Sequence, residues 1–358
     1  MNLFFPRFSL SCILLMAPAY GQEFRPYVGE SNAIWESPTN WSPNLVPDSI
    51  TEGARLGNGA TVNVGGSHTI SALEIKSGSL IFNQTNTLRT STLLLESAGV
   101  IAGPGTLVMT QAGTISDVSG VTFSNVTFRN EGTLELITGI GLAPGTVFQN
   151  VNTTNFGDTS AIGIAAGGAG APGRIDNTGF LRKVLGAGTA TIGMPIDNDL
   201  EIVSVQGNFA IAGDVDNSGQ FRTEADGRIT LTGTNTMTDG SRIFGDGLTR
   251  MTTGSMTIPP GATVSVDNFL ADGGALINQG TMNYQGADTA WNGVSINGNG
   301  LTRIQDGATL TIEASSTGTS LDGGGSIEIE AGGRLLFEGD TSNLTSNSVS
   351  TLVNRGTI

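Results

Sequence analysis

A chain of 358 residues with one cysteine, 31 acidic and 16 basic residues cannot be a disulfide-stapled module. Its formal net charge of −15 would repel nucleic acid and anionic membrane surfaces, which excludes both as main partners. Glycine, at 53 residues, is about twice its usual share of roughly 7%, yet Val, Ile, Leu and Phe are spread evenly through the chain, which argues against disorder.

Residues 1–21 read as a secretory signal peptide. Arg7 gives a weak positive start, Leu10 to Met16 form a short apolar run, and Ala19-Tyr20-Gly21 places small residues where a signal peptidase reads. The run is too short to span a bilayer. Cys12 precedes most of it, which argues against a lipid anchor. Cleavage after Gly21 leaves 358 − 21 = 337 residues with no cysteine, and with 15 basic residues because Arg7 is the only charge removed. No disulfide, thiolate metal site or cysteine nucleophile remains possible. Such an exported chain is stabilised by its own core, and export from a bacterial cell is the natural inference.

Residues 22–57 hold Trp35, Trp41 and the prolines Pro26, Pro38, Pro43 and Pro47, and they lack the phrases that recur downstream. They are expected to cap one end of a stack, because an open coil is a bare sheet edge.

From residue 58 to residue 358 three phrases recur. The first is a glycine, a small residue or two, then alternating apolar positions: Gly59-Ala-Thr-Val-Asn-Val, Gly227-Arg-Ile-Thr-Leu-Thr, Gly261-Ala-Thr-Val-Ser-Val, Gly307-Ala-Thr-Leu-Thr-Ile and Gly333-Arg-Leu-Leu-Phe. A period of two places Val62 with Val64, and Leu310 with Ile312, on one face of a short strand. The second is Gly-x-Gly before a strand, beginning at Gly103, Gly245, Gly298 and Gly323. The third is Asn-x-Gly, at Asn130, Asn177, Asn217, Asn278 and Asn354. Asparagine and glycine tolerate the left-handed backbone of a tight corner. These asparagines serve as corner residues or form a ladder along one corner, and both readings stand.

Recurrence of the same turn chemistry argues for coils of about 20 residues with three short strands each. One coil cannot bury its inward side chains alone, so coils must stack. The fold expected is all-β, a right-handed parallel β-helix or β-solenoid, with β-sandwich repeats as the structural rival. Residues 163–173, Gly-rich and of low complexity, are expected to bulge from one coil. Leu352 to Ile358 stop inside the repeat phrase, so the sequence reads as a piece of a longer solenoid, or else as a stack whose last edge a partner protects, the first being favoured.

With these residues in view the chain resembles the β-helical passengers of autotransporter-type and related bacterial surface proteins. The resemblance rests on Ile34-Trp-Glu-Ser-Pro-Thr-Asn-Trp41, Val46-Pro-Asp48, Ala60-Thr-Val62, Ile70-Ser-Ala-Leu73 and Gly78-Ser-Leu80. It covers most of the chain as a style of repeat. It implies an extracellular or outer-surface location and an adhesive or structural role, with glycans or other surface proteins as partners. No C-terminal membrane barrel or sorting signal accompanies it.

Candidate chemistry is sparse. His68 is the only histidine. In Gly65-Gly-Ser-His-Thr it is expected in a solvent-facing turn, and no nucleophile elbow exists to use it. One histidine and no mature cysteine exclude zinc sites of the usual kind. Asp214, Asp216, Ser218 and Gly219 match a calcium loop at four positions, but the twelfth is Ala225, where a bidentate Glu is needed. Gly168, Gly170 and Gly173 satisfy Gly-x-Gly-x-x-Gly with no helix after them. Asp197, Asp199, Glu201, Asp214 and Asp216, with Arg174, Arg182 and Lys183 upstream, are the densest carboxylate set and the place a polysaccharide-cleaving pair would sit. Thr-x-Thr pairs such as Thr230 with Thr232 and Thr309 with Thr311 follow from strand propensity. No catalytic, cofactor-binding or metal-binding residue is assigned and no cofactor is implied. The function expected is structural or adhesive, with a carbohydrate-active β-helix enzyme (lyase or glycoside hydrolase type) as the alternative.

Overall fold

The computed structural model describes residues 23–358 apart from 97–98, 117–119, 166–170, 316–317, 340–341 and 347–349. The expected signal peptide, the middle of the glycine-rich stretch and its Gly168 and Gly170 lie outside the described residues.

Alternating side chains make the strands. In Thr61–Val64, Val62 and Val64 are fully buried while Thr61 and Asn63 stay half-exposed, and Thr309–Glu313 repeats the pattern with Leu310 and Ile312. Such short strands bury one face only when another coil lies above and below. All ladders are parallel, and every strand joins one 40-stranded array. The antiparallel layers that a sandwich needs are absent among the described residues; Tyr27 and Trp41 form a lone antiparallel bridge. The chain is a parallel β-solenoid.

Three faces run along the stack. Face 1 begins at Glu23–Pro26 and Glu52–Leu56 and ends at Ser326–Ile329 and Thr351–Asn354. Face 2 runs from Ala33–Ile34 and Thr61–Val64 to Thr309–Glu313 and Arg334–Glu338. Face 3 runs from residues 68–70 and 87–90 to Thr319–Leu321 and Leu344–Ser346. One coil therefore reads Thr127–Asn130 on face 3, Thr133–Leu136 on face 1 and Ile140–Leu142 on face 2, after which Val147–Asn150 returns to face 3. Thr133 lies opposite Thr153, a step of 153 − 133 = 20 residues. Thr153 lies opposite Phe180, a step of 180 − 153 = 27, so the coil containing the glycine-rich stretch carries the extra residues.

Inward side chains form one continuous apolar column. Phe123, Phe128 and Phe148 stack in sequence with ring centroids 5.0 and 5.3 Å apart, and Phe156 meets Phe209 at 4.7 Å. Full burial of each such ring stabilises by about 1.5–3 kcal/mol. Glycines set the corners. Gly103, Gly245, Gly298 and Gly323, which open the Gly-x-Gly phrase, all have positive φ. A Cβ on Gly103 would overlap the Phe82 carbonyl oxygen of the coil below.

The first coil is closed by aromatics. Trp35 and Trp41 are fully buried, with centroids 4.6 Å apart and the Trp41 indole N–H donating to the Trp35 carbonyl at 2.7 Å. At the other end Phe337 and Leu352 are 45% and 51% exposed, so the inward column lies open on that side.

Candidate functional site

Polar groups fall into those inside the solenoid and those on its faces. Inside, at the end of the face 3 strands, stand Asn130, Asn150, Asn177, Asn198 and Asn217, all fully buried or nearly so. Each Nδ2 of the first four donates to the Oδ1 of the asparagine one coil on, at 2.9, 2.7, 2.6 and 2.5 Å in turn, and the Asn217 Nδ2 donates to the Gly219 carbonyl. Three asparagines of the third phrase, Asn130, Asn177 and Asn217, thus form a ladder with Asn150 and Asn198, which lack that phrase. They also make corners: Asn130 Oδ1 accepts from the Gly132 N–H at 3.0 Å, and Asn278 and Asn354 do the same with Gly280 and Gly356. The ladder is internal, and its amides also donate to the Thr153, Phe180 and Glu201 carbonyls.

His68 is not the solvent-facing turn residue expected from the sequence. It opens the strand His68–Ile75, its side chain is 7% exposed, and its ring lies 5.6 Å from that of Trp35. Nε2 is 3.0 Å from Glu36 Oε1, and Nδ1 is 3.2 Å from Asp48 Oδ1. Both carboxylates come from residues 22–57, so tertiary packing pulls the ring in where local turn propensity would leave it out. Burial alone would raise Glu36, but the His68 ring and the N–H groups of Gly66 and Gly65 hydrogen-bond its carboxylate and hold it below the usual range. This joins the first coil to the second.

The carboxylates singled out from the sequence do not form one site. Glu201 is on face 1, bound by Arg222 of the next coil. Asp199 sits at the corner between faces 3 and 1, where Ser218 donates to it at 2.7 Å. Asp214 accepts from the Thr234 N–H at 2.9 Å. Asp216 points outward and its neighbour Asn217 inward, so the calcium-loop match does not converge on one point. Asp176, Asp197 and Asp216 do line up in register on face 3. Burial, then Asp199, Asp176 and Asp216, push the Asp197 carboxyl up against the pull of Arg174. Arg174 pairs with Asp176 at 2.8 Å. Arg182 lies outward on face 1 between Asn155 and Val203. Lys183 is inside: its side chain is 0% exposed, its ammonium donates to the carbonyls of Leu185 and Gly186, and burial pulls its pKa down.

A further concavity lies elsewhere. Where face 1 turns into face 2, the corners of successive coils enclose a cleft of about 800 Å³. Gln206 pairs with Asp226, and Arg228 pairs with Leu248, which puts Asp226 below Asp246 at the corner. Asn268 and then Asp288 follow on the next coils. From Gln206 to Asp288 the cleft therefore crosses four coil steps of about 4.8 Å, a length of about 19 Å. Asp226, Asp246, Asp288 and Arg228 line it without an ion pair among the described residues. Some other outward acids are paired with arginines, as Glu131 is with Arg89 and Arg129, and Asp272 with Arg250, while Asp199 and Asp214 are held by Ser218 and the Thr234 N–H. Beside the cleft, burial and the charges of Asp288 and Asp246 push Asp267 up, opposed by the Asn268 N–H and by Arg242. The sequence reading missed this cleft. Its only local signal was Asp-Gly at 226–227 and 246–247, which reads as a turn.

Among the described residues no helix is long and apolar enough to cross a membrane. Comparison of the chain with protein-family models, curated proteins and solved structures finds no match.

Proposed function

We propose that this protein is an exported, cell-surface β-solenoid with a structural or adhesive role. The observation that supports this reading is the parallel stack itself. Its coils are joined from one end to the other by backbone ladders and an apolar column, with an internal asparagine ladder from Asn130 to Asn217. A rod of this kind carries long faces whose side chains repeat at every coil, about 4.8 Å apart. Such a surface suits a repetitive partner better than a single small molecule, and the cleft along one corner extends in the direction of the rod. The first 21 residues and the opening motif around Trp35 and Trp41 support export. The test is localisation in the organism that encodes the chain: an antibody against the folded rod should label intact cells or the culture medium. Protein found only inside the cells would overturn the reading.

A second reading, a carbohydrate-active β-helix enzyme, is favoured by Asp267. Burial and neighbouring charges raise its carboxyl beside the cleft, where Asp246 and Asp288 come from the adjacent coils, the direction of shift that a general acid needs. Acidic polysaccharides incubated with the protein, with and without calcium, distinguish the two. Turnover that Asp267→Asn abolishes would favour the enzyme.

A further inference from the structure

We propose that two copies of this chain pair side by side and antiparallel through face 2, along the stretch of the rod from Ile34 to Ala210. The strands of that stretch, residues 33–34, 61–64, 79–82, 100–102, 121–124, 140–142, 161–164, 189–192 and 208–211, contain no Asp, Glu, Lys or Arg. They follow one another in parallel register along the stack. Over the same coils face 1 presents Arg55, Glu135 and Arg182, and face 3 presents Arg129, Asp176 and Asp197. Charge returns to face 2 only at Arg228. Exposed apolar side chains accompany the uncharged stretch: Ile34 and Val100 stand on it, Ile164 ends one of its strands, and Ile137 and Leu185 border it at the corner from face 1.

Charge and size select a second copy as the occupant. Two molecules of net charge −15 repel each other, and contact through these strands sets no carboxylate against another. Two charges at the corner from face 1, Lys76 and Asp158, are paired with Glu96 and Lys183. Eight coil steps of about 4.8 Å and a strand four residues wide give a face of about 38 by 13 Å. A pair therefore covers roughly 1,000 Å² in total, the lower limit for a specific interface. Small outward residues, among them Ala102, Gly141, Ala161 and Ala210, let two sheets approach to the usual spacing of about 10 Å. A two-fold axis makes the contact self-complementary, so the fifth of the nine strands, Val121–Ser124, lies opposite itself. A lipid surface fits less well. It would bury the hydroxyls of Thr61, Ser79, Thr122 and Thr189 without partners, whereas in the pair they meet one another or bridging water.

Sedimentation velocity of the full chain over about 1–100 μM tests this. Monomer should convert to dimer as concentration rises, and added salt, which screens the repulsion, should tighten the dimer. Ala102→Glu/Thr122→Glu should weaken it at least about tenfold by setting like charges together. Thr263→Glu/Thr281→Glu, outward on face 1, should not. Orientation is read by oxidative cross-linking in a Cys12→Ser background. Thr122→Cys should link to itself across the pair, and Thr189→Cys should link to Asn63→Cys rather than to itself. A chain that stays monomeric throughout overturns the proposal. So does a dimer that salt loosens, or one left unchanged by the Ala102/Thr122 variant when that variant is folded by circular dichroism. Self-linking of Thr189→Cys, or binding of the monomer to neutral phosphatidylcholine vesicles that the same double variant abolishes, overturns it as well.

Discussion

The Asn150 side-chain amide donates to Asn177 Oδ1 at 2.7 Å, although 27 residues separate the two in sequence. Both are buried, and Asn177 in turn donates to Asn198 at 2.6 Å. A member in the middle of such a row serves two neighbours. Asn177→Ala removes the acceptor of Asn150 and the donor to Asn198, leaving buried amide groups short of partners. The expected cost is about 2–4 kcal/mol, read from the urea midpoint. Asn354→Ala, at an exposed corner, should stay within about 0.5 kcal/mol. Equal effects at both positions would show that the ladder contributes nothing beyond its corners.

How far the sequence carried depends on the range of each interaction. Val62 with Val64 and Leu310 with Ile312 were legible because a period of two is local, and the glycines of the Gly-x-Gly phrase because their backbone conformation is local. The ladder was half legible. Asn130, Asn177 and Asn217 bear the Asn-x-Gly phrase, but Asn150 and Asn198 have no glycine two residues on, and only coil register brings them in line. His68 was misread because Glu36 and Asp48 arrive from 32 and 68 − 48 = 20 residues away. The cleft was invisible for the same reason: Asp226, Asp246 and Asp288 become neighbours only after stacking.

Gly103 tests the corner chemistry. Its φ of +104° and the overlap of any Cβ with the Phe82 carbonyl oxygen make Gly103→Ala doubly unfavourable, by about 1–3 kcal/mol. Gly163, with open space around it, should accept alanine with little change. Thermal unfolding of the two variants provides the comparison, and equal midpoints would contradict the close-approach argument.

Because coils contact others only within about two steps along the stack, damage should stay local. Phe148→Ala removes a ring stacked 5.3 Å from Phe128 and should cost about 3–5 kcal/mol. Amide hydrogen exchange should speed up in residues 127–136 and 174–183, while residues 309–329 keep their protection. A uniform loss along the rod would mean that the stack unfolds as one cooperative unit.

Glu36 gives the first coil a pH dependence. Its folded-state pKa lies below the ordinary carboxylate value, so its contribution is fully present above the unfolded value and is lost as pH falls through the folded one. Fluorescence of Trp35 and Trp41, buried in that coil, should report loosening on acidification below the ordinary glutamate range. In Glu36→Gln this acid-induced change should be much smaller. An identical acid profile in both proteins would place the pH sensitivity elsewhere.

Lys183 provides the opposite sign. Burial lowers its pKa in the fold, partly offset by Asp158 at 3.9 Å, so the ammonium is held less readily in the folded protein than in the unfolded chain. The charged form therefore detracts from stability below the folded pKa, and the deficit closes as pH rises from the folded value to the unfolded one. Replacing a buried charge with an apolar chain of similar shape is often neutral or stabilising. Lys183→Met should match or exceed the parent by about 1 kcal/mol at pH 7, and that advantage should shrink as pH climbs toward the ordinary lysine range. A variant clearly less stable at neutral pH would show that the hydrogen bonds from the ammonium to Leu185 and Gly186 outweigh the cost of burying the charge, and that this corner is built around the cation.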